Sequence, residues 1–141
     1  MAKKKLKFKD AHDFCIYYFD FSPDMIVEYI NVINTLKELV EYYESYSAAL
    51  SDELRDRIAD LKFRTDCLLL LLQDLYLQSA NFMLMAKKVL DFGEEVRVSH
   101  RKMKDFKRKL RRAENEIKNL LKETRDWLME ANEERKYAYR R

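Results

Sequence analysis

Side chains suited to proton transfer, nucleophilic attack or soft-metal ligation are scarce in this chain: two histidines and two cysteines in 141 residues. His12 stands in the stretch DAHD, residues 10–13, where Asp10, His12 and Asp13 each offer a ligand atom. The trio resembles a fragment of a metal site, and a helix cap or a solvated turn accounts for the same letters. His100 lies among Arg97, Arg101 and Lys102 and reads as a surface residue. Neither histidine belongs to an HExxH motif or to the Glu-x-x-His pairs of di-iron bundles. Cys15 and Cys67 match no ligand spacing and read as reduced, small hydrophobes. With Gly93 as its one glycine, the chain has no material for a phosphate-cradling loop, a dinucleotide fingerprint or a nucleophile elbow. Carboxylates are plentiful but fall on helix faces expected to be wet, without support as paired catalytic acids. The expectation is a protein that is not an enzyme, with no metal, cofactor or small-molecule substrate.

Charge supplies the remaining chemical clue. Net charge is +3, but its placement is uneven. Between Asp20 and Leu50 six acids face a single base, Lys37; between Arg97 and Arg112 nine bases face a single acid, Asp105. Lys3, Lys4, Lys5, Lys7 and Lys9 form a second basic cluster. One reading pairs the basic helix with the acidic one, their opposite fields helping to set the packing. The other leaves Arg101, Lys104, Arg108, Arg111 and Arg112, with Lys3, Lys4 and Lys5, to bind phosphates of nucleic acid or another anionic partner. A narrow apolar stripe leaves little for a membrane surface. No zinc-finger spacing, aromatic RNA-binding strand or helix-turn-helix accompanies the basic block.

The elements that must carry these groups are helices. One Gly and one Pro, with 38% charged and 48% hydrophobic residues, leave almost no punctuation for strands and hairpins. FSPD opens the first long helix, at about 23–49: Ser22 can cap, Pro23 suits the first position and Asp24 suits the dipole. Ile26, Ile30, Ile33, Leu36 or Lys37, Val40, Tyr43, Tyr46 or Ser47, and Leu50 follow at helical spacing. Ser51 caps the next helix, about 52–92, which Gly93 ends. Its seam runs Leu54, Ile58, Leu61, Thr65, Leu68, Leu72, Leu75, Ser79, Phe82, Ala86 and Val89. A third helix, about 95–138, follows Val96, Ser99, Met103, Phe106, Leu110, Ala113, Ile117, Leu120, Thr124, Trp127, Ala131, Glu134 and Ala138. The two seams differ by one residue in register, which predicts a turn near 91–95 rather than continuous coiled coil.

Residues 1–21 are basic and aromatic. KLKFK alternates like a strand and FCIYYFDF has β preference. Asp10 with Asp13 resembles a cap, however, and Phe14, Tyr17, Tyr18 and Phe21 share a helical face, which favours a short helix at about 11–20. The fold expected is all-α, a single domain over 1–141: an antiparallel bundle of three long helices plus a shorter N-terminal one, with coiled-coil-like heptad packing.

The run Cys67–Leu72 has six apolar residues against the roughly 20 a membrane span needs. Asp66 and Asp74 bracket it. It therefore reads as soluble core, with no transmembrane helix or secretory signal and an intracellular location. Leu70 nevertheless falls outside the seam, on a second heptad column with Phe63, Leu77 and Leu84. A helix apolar on two faces must be covered on two faces. The aromatic N-terminal segment or a second copy of the chain would serve. The sequence thus points to an interaction or assembly protein that binds itself or a protein partner through Phe63, Leu70, Leu77 and Leu84, with nucleic-acid binding as the alternative.

Overall fold

The computed structural model describes residues 10–45, 50–94 and 99–139. Among them the secondary structure is helical: α1 (Ala11–Phe14), a π-helical turn (Cys15–Phe19), α2 (Pro23–Glu44), α3 (Asp52–Phe92) and α4 (His100–Tyr139). The protein is an all-α helical bundle.

Local chemistry explains most of the boundaries. Asp10 caps α1 by accepting from the Asp13 amide at 3.0 Å. The Ser51 hydroxyl accepts from the Leu54 amide at 3.3 Å, and Asp52 and Glu53 occupy the positive first turn of α3. Gly93 ends that helix in the left-handed region, φ 65°, where a Cβ would be strained. Three expectations shift. Ser22 holds the N-cap position of α2 but its side chain makes no capping bond, and Pro23 supplies the start by fixing φ. The helix ends at Glu44, with residues 46–49 outside the described residues. Helix α4 begins at His100 rather than near 95, because Ser99 accepts from the Lys102 amide at 3.1 Å and so caps it; residues 95–98 are not described.

The N-terminal segment is helical from 11 to 19, but its inward face differs from the one expected. Phe14, Cys15, Phe19 and Phe21 are buried, while Tyr17 and Tyr18 are exposed. The π-turn is the reason: it spaces like-facing residues five apart, so Phe14 and Phe19 align where an α-helix would align Phe14, Tyr17 and Tyr18. Asp20, at φ 56°, then turns the chain toward α2.

Helix α3 is the axis on which the others pack. From its seam, Leu54, Ile58, Leu61, Thr65, Leu68, Leu72, Leu75, Ser79, Phe82 and Ala86 are all buried. Ile26, Ile33, Leu36 and Val40 of α2 face it, as do Phe106, Ala113, Ile117, Leu120, Trp127 and Ala131 of α4. The two polar seam entries are satisfied locally, Thr65 donating to the Leu61 carbonyl and Ser79 to that of Tyr76. Polar contacts pin the register. Lys37 meets Asp66 at 3.2 Å and Glu44 meets Lys62 at 3.1 Å, so positions rise along α2 as they fall along α3. Arg57 with Glu130, Arg64 with Glu116 and Asp74 with Lys109 repeat that descending order against α4. At one end Phe82 and Phe106 stack edge to face, 5.0 Å between centroids, and Phe21 joins them at 5.7 and 4.8 Å.

Candidate functional site

Two surfaces take shape on this frame. The first is the second face of α3. Phe63 is 68% exposed, Leu70 68%, Leu77 64% and Leu84 55%. Among the described residues the N-terminal aromatics do not cover it: Phe19 and Phe21 pack instead on Phe82, a seam residue on the other side of the helix. Of the two covers expected for this column, the one within the described chain is therefore excluded. Exposure extends to both flanks. Ala59, Asp60, Asp66, Cys67, Gln73, Asp74, Ala80, Asn81, Lys87 and Lys88 are all exposed as well. An unbroken face thus lies open from 59 to 88, about 43 Å long at a rise of 1.5 Å per residue.

Although Cys67–Leu72 is too short to span a bilayer, α3 contains an 18-residue window apolar enough to do so by length and composition, of which 28% is buried. The bracketing carboxylates are engaged within the bundle, Asp66 by Lys37 at 3.2 Å and Asp74 by Lys109 at 3.5 Å.

The second surface is the outside of α4. Arg101, Lys104, Arg108, Arg111 and Arg112 are exposed, as the sequence reading requires of a binding face. Of the two readings of this basic block, pairing with the acidic stretch is met among the described ion pairs at Asp20 alone. Among the described residues the block reaches Asp20 through Lys107 at 3.8 Å, Asp105 through Arg108, and Asp74 through Lys109. None of these carboxylates belongs to α2, whose Glu44 is reached by Lys62 of α3 instead. Sequence reasoning stopped the basic face at Arg112. Lys118, Lys122 and Arg125 are also exposed and continue it at helical spacing. Three acids of this helix turn the other way: Glu116 and Glu123 bind Arg64, whose guanidinium, against the desolvation of its burial, is held above its ordinary pKa by those two carboxylates, and Glu130 binds Arg57. A count of i, i+3 and i, i+4 neighbours past residue 112 would have found the longer strip. Lys3, Lys4 and Lys5 lie outside the described residues.

Groups that could do covalent chemistry are dispersed. Cys15 is buried and Cys67 exposed, both unbonded. Burial pushes the Cys15 thiol up to about 11. The ligand atoms of Asp10, His12 and Asp13 lie within 4.8 Å of one another. Asp10 is engaged as a helix cap, and His12 Nε2 lies 2.9 Å from Asp24 Oδ2, which ties α1 to the start of α2. A groove of about 370 Å³ between α3 and α4 is lined by Gln78, Asn81, Phe82, Met85, Lys102, Asp105 and Lys109, a set without histidine or thiol. No family model, curated protein or solved structure matches this chain.

Proposed function

We propose that this chain is a non-enzymatic interaction or assembly protein, an intracellular antiparallel helical bundle that binds itself or a protein partner through Phe63, Leu70, Leu77 and Leu84. The descending order of the ion pairs along α2, α3 and α4 supports the antiparallel arrangement. The observation that carries the binding role is the exposure of four large apolar side chains at heptad spacing on a helix whose opposite face is fully engaged in the core. Apolar area of this regularity is uncommon on a solitary soluble chain, and it has the geometry by which helices pack on helices. Carboxylates and Gln73 interleaved with the leucines favour a protein over lipid as its cover. Unbonded Cys15 and Cys67 fit a reducing compartment. Light scattering on the wild type and on a Leu70→Asp, Leu77→Asp variant tests the self-associating form. The wild type should have a mass above that of one chain and the variant the mass of one, with unchanged helical circular dichroism. A folded variant of unchanged mass removes self-association through this face.

A second reading rests on its own observation, the exposed strip Arg101, Lys104, Arg108, Arg111, Arg112, Lys118, Lys122 and Arg125. A nucleic-acid-binding accessory role through phosphate contacts would use it, with affinity falling steeply as salt rises and little dependence on sequence. Fluorescence anisotropy with labelled DNA and RNA reads this out; lack of binding at low salt ends it.

A further inference from the structure

We infer that the occupant of the open α3 face is a second copy of this chain, laid antiparallel across a two-fold axis that passes between Gln73 and Asp74. The inference rests on reading that face as a protein-binding one. Its first support is the symmetry of the column. Leu70 and Leu77 are equidistant from the midpoint of 73 and 74, and so are Phe63 and Leu84. Reversing the helix therefore returns an apolar residue to each apolar position, setting Leu70 beside the partner's Leu77 and Phe63 beside the partner's Leu84. An isologous interface requires this self-complementarity.

Charge on the flanks decides the direction. One flank carries Asp60, Cys67, Asp74, Asn81 and Lys88, and the other Ala59, Asp66, Gln73, Ala80 and Lys87, all exposed. In an antiparallel helix pair like flanks meet, so Asp60 faces the partner's Lys88 at both ends. Neither Lys87 nor Lys88 forms an ion pair with a described residue, so both are available; Asp60 has only a 3.5 Å contact with Arg64 of its own helix. Asp74 meets its own counterpart at the axis, where Lys109 at 3.5 Å already offsets its charge. A parallel pair joins unlike flanks at equal height. That sets Lys88 against the partner's Lys87 on both sides and leaves Asp60 beside the partner's Ala59. Repulsion thus selects against the parallel form.

Small residues at 59, 67 and 80 let the two backbones approach. Asp56 and Asp91 close the column at its ends and would oppose one another. They lie about 26 Å from the axis, where helices crossing at about 20° have diverged.

The experiment uses the full chain with Asp60→Lys, Lys88→Asp and Asn81→Cys substitutions. Each charge reversal alone should weaken the dimer roughly tenfold, whereas an equimolar mixture of the two should dimerise about as well as wild type, because each cross-chain pair is then opposite in sign. Under oxidation Asn81→Cys should crosslink to the partner's Cys67, which a parallel pairing would hold about 21 Å away. If Leu70→Asp, Leu77→Asp dissociates the dimer but the mixture gives no rescue and no crosslink forms, the two-fold arrangement is wrong and the binding face stands. If that double variant leaves a folded dimer intact, the binding face itself is wrong. A wild type that remains monomeric at about 100 μM, or that floats with lipid vesicles as a monomer, overturns the second copy as occupant.

Discussion

The indole Nε1 of Trp127 donates to the main-chain carbonyl of Leu54 across 3.0 Å, joining the first turn of α3 to the far part of α4. Tyr43 of α2 meets the same indole edge to face at 5.2 Å, so three helices converge on one buried ring. Nearby, Glu134 accepts from the Ser51 amide at 3.0 Å and Asn132 accepts from the Tyr43 hydroxyl at 3.1 Å. This end of the bundle is fixed by directional bonds, the other by the Phe21, Phe82 and Phe106 cluster.

Trp127→Phe removes the donor and part of the ring while leaving the site apolar. The expected loss is about 2–3 kcal/mol, from lost packing volume and the forfeited hydrogen bond. Urea unfolding followed by far-ultraviolet circular dichroism measures it. A loss below about 0.5 kcal/mol would mean the contact does not hold the helices.

Phe106→Ala opens the opposite end. Phe106 is fully buried against Phe82 and Phe21, so truncation should cost about 3–5 kcal/mol. The same substitution should make α1 accessible to proteases, because Phe21 loses its cover. Limited proteolysis followed by mass spectrometry reads that second effect.

Thr124 carries a buried hydroxyl with no hydrogen-bond partner among the described residues. Thr124→Val keeps the shape and removes the unpaired group, and is expected to raise stability by about 1 kcal/mol. A lower thermal midpoint for the valine variant would contradict this.

Cys15 makes stability depend on alkaline pH. Its folded pKa, about 11, lies above the ordinary 9.0, so the folded state holds the proton that the unfolded state releases. The contribution is complete below pH 9 and is lost as pH rises toward 11, by roughly 2 kcal/mol. Cys15→Ala should flatten this part of the stability profile. At pH 8, a thiol reagent should modify Cys67 alone in the folded Leu70→Asp, Leu77→Asp variant, whose α3 face is open, and both cysteines in denaturant. Two fast-reacting thiols in the native state would refute the burial of Cys15.

Much of this was legible in the letters. The seam from Leu54 to Ala86 is buried as its period requires, because an α-helix presents the same face every three or four residues whatever it meets. Ser51, Gly93 and Asp10 mark helix ends because capping is a contest between near neighbours. The Tyr17 and Tyr18 face was misread because a π-turn changes the period without a distinctive composition.

The sequence by itself determined that Phe63, Leu70, Leu77 and Leu84 share one column and that bases crowd Arg101 to Arg112, since both follow from helical spacing. It could not say which column of α3 the rest of the chain would cover. Packing decided that: α2, α4, Phe19 and Phe21 settle on the seam, where the apolar area is continuous, and leave the leucine column open. Nor could it say which way the charges of α4 would turn. Arg57 and Arg64 of α3 draw Glu116, Glu123 and Glu130 toward the bundle, so the bases on the rest of the cylinder face water. Local spacing is a property of one helix, whereas burial requires a neighbour, and only the tertiary structure supplies one.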